Sequence, residues 1–463
     1  MLLRIVFLTL LCSIALFPQE EGLKAGRAAV KITPPKGMPM QGYYHVRLSE
    51  GTHDDLYAKA LAIESGGQRL VMVAVDLAAI PERFVTRARE IVRQKNGLAA
   101  DHVMVSATHT HTGPELGVRL KGVSDETLKL VKSYHDELPA RIAESVDLAL
   151  KDLQPAKMSA AIGFEDSISF IRRFRMIDGT VGWNPGKLNP KIVKPVGSID
   201  PDVPVVYVES EKSVPLLTYV NFANHLDTVG GMEFSADYPY TLGNALGNVK
   251  GAGMLTMFTI GCAGNINHID VKTSRPQKGH EEAARIGSIL AGSVLKAFRH
   301  LTEVPAGRIW MKREVLSLPP ASYPASDVAK AKEIVANYGK PGANPFYEQV
   351  HAFKVLELEE RKGKPIEAEV QVIALGQDIA WVGLPGEIFT EHARAIKLAS
   401  PFPYTIVVEL ANDNVGYVPD RRAYGEGAYE VISARLAAGG GEAMVESAVR
   451  MLLEAHAAAA KIR

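Results

Sequence analysis

The sequence predicts a layered α/β domain, a mixed central β-sheet flanked by helices, with its sites on loops at strand ends. Three observations predict it. From residue 56 onward, apolar runs of strand length alternate with amphipathic runs of helical length. Glycine-rich punctuation such as Gly66-Gly67 and Gly261-Cys262-Ala263-Gly264 closes the strands. The 463 residues are 47% hydrophobic and 22% charged, the balance of a globular chain long enough to bury one large core.

The elements follow in order. Residues 28–33 alternate and stop at Pro34-Pro35, which reads as an edge strand before a turn. Residues 56–64 and 68–76 form a hairpin about Gly66-Gly67, and residues 81–95 have helical apolar spacing. Residues 103–107 are a short strand running into Thr108-His109-Thr110-His111-Thr112-Gly113-Pro114, and residues 125–153 a long amphipathic helix. Residues 205–209 and 216–222 pair as strands, 255–260 is another strand, and 280–299 is a helix. The charged stretch 326–361 reads as a helical insertion on the surface. Residues 367–375 and 379–384 are strands, Pro385-Gly386-Glu387 starts a helix, 405–410 is a last strand, and 441–460 is a terminal helix. No internal repeat or linker divides the chain.

The amino terminus reads differently. Arg4 precedes an uncharged apolar run over residues 5–17, then Pro18, Gln19, Glu20 and Glu21. This is the pattern of a secretory signal peptide over residues 1–22, with an uncleaved anchor as the alternative. The run falls short of the ~20 residues of a membrane span. Cys12 is a poor lipoprotein cysteine, because bulky Leu11 precedes it. The expected location is therefore secreted or periplasmic. Without the leader only Cys262 remains, so an internal disulfide is ruled out and stability must come from the core. Lysine plus arginine equals aspartate plus glutamate, 52 each, which gives no basic footprint for nucleic acid.

The densest chemistry is the pair His109 and His111. On an extended backbone alternate residues face the same way, and neutral imidazole is a common zinc ligand. A hydrogen-bonded polar turn is the other reading of this pair. His225, just past a strand in Asn221-Phe222-Ala223-Asn224-His225, and Glu387, at a strand-to-helix turn, repeat the placement. Each alone is ordinary; three such loops in one chain point to a shared site. Cys262 is a second candidate nucleophile, but it lies in a glycine-rich turn with no assigned base.

Residues 108–114, the segment 221–225, Pro385-Gly386-Glu387 and the pair Tyr417/Tyr429 resemble, in the same order, motifs of the neutral/alkaline non-lysosomal ceramidase family. Val30-Lys31-Ile32-Thr33-Pro34 and Met40-Gln41-Gly42-Tyr43 resemble its first strand and turn. The resemblance runs from about residue 26 to the end. It implies a catalytic domain over 26–463, without that family's C-terminal immunoglobulin-like domain. It further implies one Zn2+ held by His109, His225, Glu387 and Tyr417. Around the reacting carbonyl it implies His111, Tyr429 and an arginine of the 171–175 segment, Arg172 with Arg173 as the alternative. The activity implied is zinc-assisted hydrolysis of an amide in an N-acyl lipid such as ceramide, with a small-molecule or lipid amide as partner and peripheral contact with membrane lipid. Two positions depart from the family loop Gly-Asp-x-Ser-Pro-Asn: Asn267 stands at the serine and His268 at the proline. The departure opens two other readings, a hydrolase of another N-acyl amine or an ester on the same site, and a secreted binding module without catalysis.

Overall fold

Two β-sheets lie face to face between layers of helices in a computed structural model that describes residues 22–117, 122–338, 340 and 345–460. The larger sheet runs Leu255–Ile260, Pro215–Phe222, Asp202–Ser210, Gln154–Phe164, Lys24–Lys31, Tyr57–Ser65, Gln68–Val75, Val103–Ala107, with Thr302–Val304 also pairing Gln154–Phe164. Its two ends are parallel pairs and its middle is antiparallel, so it is mixed. The smaller sheet runs Ile309–Leu318, Ile366–Leu375, Ile379–Gly383, Tyr404–Val408, with its last pair parallel. The expected layered α/β domain with helix-flanked mixed sheet is present, and a second sheet is added to it.

The hairpin Tyr57–Ser65 and Gln68–Val75 shows why the layers form. Alternate side chains leave opposite faces of a strand. Ala60, Ala62, Val71 and Val73 join one core beneath the helices. Leu61, Ile63, Leu70 and Met72 join another, which they share with Ile373, Leu375, Ile379, Trp381 and Ile406 of the smaller sheet. A strand covered on both faces must be apolar throughout, which is how this hairpin reads. The helix Asp125–Lys151 is capped by Ser124, whose side chain accepts from Thr127 N, and buries a stripe through Val131, Tyr134, Leu138, Ile142, Val146 and Ala149. A third core packs the outer face of the smaller sheet against Thr390–Ala399 and Gly440–Ala460.

Several expectations change. The strand Lys24–Lys31 starts ahead of residue 26 and is internal rather than an edge, paired with Tyr57–Ser65 on one side and Gln154–Phe164 on the other. Glu387 does not start a helix. Glu387–Ile388 is a two-residue strand in parallel register with Tyr417–Val418, and the helix begins at Thr390. The strands Gln154–Phe164 and Ile309–Leu318 add to the expected set; neither alternates cleanly, since the first exposes Pro155, Lys157, Ile162 and Phe164 and the second Arg313, Val315 and Ser317. The 326–361 stretch does form helices, Ala325–Ala336 and Phe346–Glu360. The expected leader lies outside the described residues except for Gly22. Among the described residues no helix is long and apolar enough to cross a membrane.

Candidate metal centre

Four loops, two from each sheet, converge on one point. His109 follows Val103–Ala107 and His225 follows Pro215–Phe222, both in the larger sheet. Glu387 follows Ile379–Gly383 and Tyr417 follows Tyr404–Val408, both in the smaller. The histidine loop is held along its length. Thr108 N and His109 N donate to Val75 O and Leu77 O, and the Thr110 and Thr112 hydroxyls both donate to Ser235 O at 2.6 and 2.9 Å. The two histidines do not face together through extended alternation. His109 adopts a left-handed φ of 78°, a conformation that costs a non-glycine residue energy and that the surrounding bonds must enforce. Gly42 packs against His111 so closely that a Cβ there would lie 2.7 Å from His111 Cβ, so the turn admits only glycine.

The donor atoms have the spacing of a metal shell. His109 Nε2 lies 3.0 Å from His225 Nε2, 3.4 Å from His111 Nε2 and 3.5 Å from Glu387 Oε2. Glu387 Oε2 lies 3.6 Å from His225 Nε2. Ligands about 2.0–2.1 Å from a tetrahedral zinc stand roughly 3.3–3.4 Å apart. The outer ring nitrogens fix the tautomers. His109 Nδ1 donates to Ala78 O at 2.6 Å and His225 Nδ1 donates to Ala263 O at 3.2 Å, which turns both Nε2 lone pairs inward. Glu387 Oε2 is buried and accepts no hydrogen bond, an orphan that a cation would satisfy. Tyr417 neighbours Glu387 and its ring lies under the Arg172 guanidinium, with Cζ 5.4 Å from the ring centroid. Two inward lone pairs, an unpartnered carboxylate oxygen and a phenol hydroxyl suit zinc, and His109, His111 and His225 form a group able to hold a metal ion.

Charges around the cluster are arranged rather than incidental. Burial tends to raise the Glu387 carboxyl, but the adjoining His109, His225 and Tyr417 hold it below the usual carboxylate range. Burial, then the neighbouring His109, pushes His111 down to about 4, so its imidazole is neutral. Burial pushes Glu409 up to about 8, and this carboxyl accepts from Ala263 N and Ile388 N, tying the loop beside His225 to the one bearing Glu387.

The remaining sequence candidates surround this point. Arg172 and Arg173 share Glu430, buried between them, at 2.9 Å each. Arg172 also donates to Gly264 O and brings Nη1 to 3.4 Å from His225 Nε2, whereas Arg173 turns to Gly427 O and Glu426. Arg172 is the one at the centre. Tyr429 packs 5.5 Å from Tyr417 and its hydroxyl lies 3.4 Å from that of Tyr44. Asn267 is fully buried; its amide donates to Asn184 Oδ1 at 3.2 Å and its carbonyl accepts from Ile269 N at 3.1 Å. Cys262 lies in an apolar core with its thiol pushed well up by burial, which removes it as a nucleophile.

Sequence reasoning missed three contributors. Glu430 sits directly after Tyr429, and a buried arginine pair requires such an acid. Trp183 packs 4.5 Å from Tyr429, and Phe346 stacks on it at 6.2 Å and 18°. Phe346 belongs to the stretch read as a surface insertion; its helix in fact covers one side of the centre.

Fold and site together define an α/β protein of two facing sheets with a buried His/His/Glu/Tyr cluster between their loop ends. Two solved structures share this fold. The neutral ceramidase of Pseudomonas aeruginosa superposes with a TM-score of 0.72 at 19% identity, over 95% of this chain and 75% of that one. A ceramidase complexed with C2 superposes with a TM-score of 0.70 at 18% identity, over 93% of this chain and 75% of that one. The chain has the neutral ceramidase fold. No protein-family model matches it.

Proposed function

We propose that the chain is an exported, zinc-dependent hydrolase that cleaves the amide bond of an N-acyl lipid such as ceramide. The carrying observation is the orphaned Glu387 Oε2 beside two inward-facing imidazole nitrogens, all within 3.0–3.6 Å of one another. The ceramidase fold supports the substrate class.

His109, His225, Glu387 and Tyr417 would hold the ion. When bound, zinc supplies Lewis acidity that polarises an amide carbonyl and acidifies water. The chain's own groups do the rest. Arg172, fixed at Nε by Glu430 and at Nη2 by Gly264 O, keeps Nη1 directed at the centre, where it donates to the oxyanion as the carbonyl becomes tetrahedral. The Tyr429 hydroxyl and His111 flank the same position, and each such donor is worth ~3 kcal/mol. The Trp183, Phe346 and Tyr44 rings around Tyr429 exclude water and present an apolar wall to the acyl chain. Asn267 supports the strand pair Ile266–Asn267 and Phe170–Ile171 that delivers Arg172.

The Asn267 position favours a second reading on the same site, another N-acyl amine or an ester as substrate, because the family serine is replaced by a side chain already bonded within the protein. Purified protein should contain about one zinc per chain. It should hydrolyse at least one of ceramide, N-acyl amino acids and simple esters, and a chelator should stop it. A blank across that panel at full zinc occupancy overturns the enzyme and leaves a binding protein.

A further inference from the structure

Ser235, whose carbonyl holds the histidine loop through Thr110 and Thr112, leads through its hydroxyl to a second cluster of imidazole and carboxylate. Among the described residues two groups of side chains are spaced to hold an ion: His109, His111 and His225 at the centre, and His53, Asp54 and His280. In the second group each residue offers one donor atom, and the three atoms lie within 4.8 Å of one another. His53 and Asp54 follow the short strand Gly51–Thr52, and His280 opens the helix His280–Ala297.

The frame of this cluster is fixed. Gly51–Thr52 pairs in parallel with Glu233–Phe234, and His53 N donates to Phe234 O at 2.9 Å. The Asp54 side chain is buried; Oδ1 accepts from Ala236 N at 2.7 Å and Oδ2 from Ser235 Oγ at 2.6 Å. His53 Nδ1 lies 2.9 Å from the same Oδ2, so without an ion a proton on Nδ1 bridges the two. The His280 ring stacks on that of His53, centroids 3.6 Å apart at 14°, and among the described residues its nitrogens have no hydrogen-bond partner. Two imidazolium ions at that spacing would repel, and burial, then the neighbouring His53, pushes His280 down. The charges of Asp54 and Glu233 act on the same ring, so the surroundings favour a cation. Ring stacking alone would account for two adjacent histidines. It does not account for a buried carboxylate turned to one of their nitrogens with a second neutral imidazole alongside.

An ion can take the place of the bridging proton. Imidazole nitrogen and carboxylate oxygen together suit zinc and its borderline neighbours rather than Mg2+ or Ca2+, which prefer oxygen alone. Ligand atoms on a tetrahedral zinc stand roughly 3.3–3.4 Å apart. The Nδ1–Oδ2 contact therefore opens slightly, and the stacked rings tilt apart to aim at the ion. The His53 side chain, 39% exposed, has room for that movement. We propose that His53, Asp54 and His280 bind a second divalent transition-metal ion, such as Zn2+, outside the hydrolytic centre. Three donors at the surface hold an ion less tightly than four at a buried centre. This ion exchanges on desalting, whereas the centre keeps its own. The proposal does not depend on the hydrolase reading.

The test is equilibrium dialysis of desalted protein against micromolar Zn2+, with metal counted per chain. Wild type should take up one further equivalent above the one it retains. His280→Ala and His53→Gln should each keep the retained ion and bind the further one at least about 10-fold more weakly. Their hydrolase activity without added metal should match wild type. His109→Ala should lose the ion retained through desalting, the one metal analysis reads, and still take up the exchangeable one. If wild type retains no ion but takes up an exchangeable one that needs His53 and His280, the centre falls and this site stands. A wild type that takes up no further zinc overturns the proposal, as does a further equivalent that survives in both variants. If either variant fails to fold, the other decides. A measurement on wild type alone guards against misfolding in both: the imidazole NMR signals of His53 and His280 should move or broaden together as zinc is added. Signals that stay in place overturn the site.

Discussion

The two sheets contribute equally in number to the candidate metal centre and unequally in kind. The larger sheet sends two imidazoles, each locked by a loop carbonyl through Nδ1. The smaller sends two oxygen donors, Glu387 and Tyr417, on two-residue strands that pair only with each other. Neutral nitrogen comes from one half and negative charge from the other. Neither half is a site alone. The centre exists only because the inter-sheet core of Leu61, Met72, Ile373 and Trp381 brings the two sets of loop ends together. Glu409, bonded to both Ala263 N and Ile388 N, staples that junction directly beneath the cluster.

If both halves are indispensable, His109→Ala and Glu387→Ala should be equally severe. Each should abolish zinc binding, read by metal analysis, and lower turnover by more than about 10³-fold, of which ~10²–10³ corresponds to the loss of transition-state charge stabilisation. Retention of zinc by Glu387→Ala would break the comparison and leave a three-histidine site of His109, His111 and His225. Arg172 comes next. Arg172→Met should cost about 10²–10³ in kcat with zinc retained, as for the loss of one oxyanion donor. Arg173→Met should act through stability, because Arg173 meets Glu426, Gly427 and Glu430 rather than the centre. Similar kcat losses in both would show that the Glu430 network, not the Arg172 headgroup, is what matters. A smaller effect is expected at the edge of the shell. Tyr417→Phe should weaken zinc affinity by about 10–100-fold, the scale of removing a supporting group from a metal site. An unchanged affinity would place Tyr417 outside the shell.

The same contrast explains what could be read from the sequence. The larger sheet's half announces itself, since two histidines in seven residues directly after an apolar strand are chemically conspicuous. Their convergence does not come from an extended backbone: His109 turns through a left-handed φ imposed by bonds from residues 75–78. The smaller sheet's half is silent. A two-residue strand has no period; Glu387 looks like a first-turn glutamate but for its place after an apolar strand, and only the resemblance to ceramidases singles out Tyr417. The strand Ile309–Leu318 escaped because Lys312, Glu314 and Ser317 on its partly exposed faces hide the alternation. The stretch 326–361 was read as surface because its charges dominate, while the two aromatic residues at the start of its second helix, Phe346 and Tyr347, reach Tyr429 and Trp183. Charge composition reports the face a helix shows to water and says nothing of the few side chains at its end.

Asn267 offers the finest discrimination, because it sits where ceramidases carry a serine and yet belongs to the frame of the site. Its amide spans from Asn184, which holds a left-handed φ of 40°, to the backbone of Ile269. The strand pair it shares with Phe170 and Ile171 ends one residue before Arg172. Asn267→Ala removes both side-chain bonds and leaves buried partners behind, a loss of about 1–3 kcal/mol in stability. Its effect on catalysis should be indirect and small, a few-fold in kcat through a looser Arg172, with zinc occupancy intact. Asn267→Ser supplies a hydroxyl too short to meet both partners, so it should resemble the alanine variant in thermal midpoint. The measurement is the ratio of the two effects: thermal midpoint against kcat at full zinc loading. A frame residue moves the first more than the second. A loss beyond about 100-fold in kcat without a matching loss of stability would instead show that Asn267 touches the substrate.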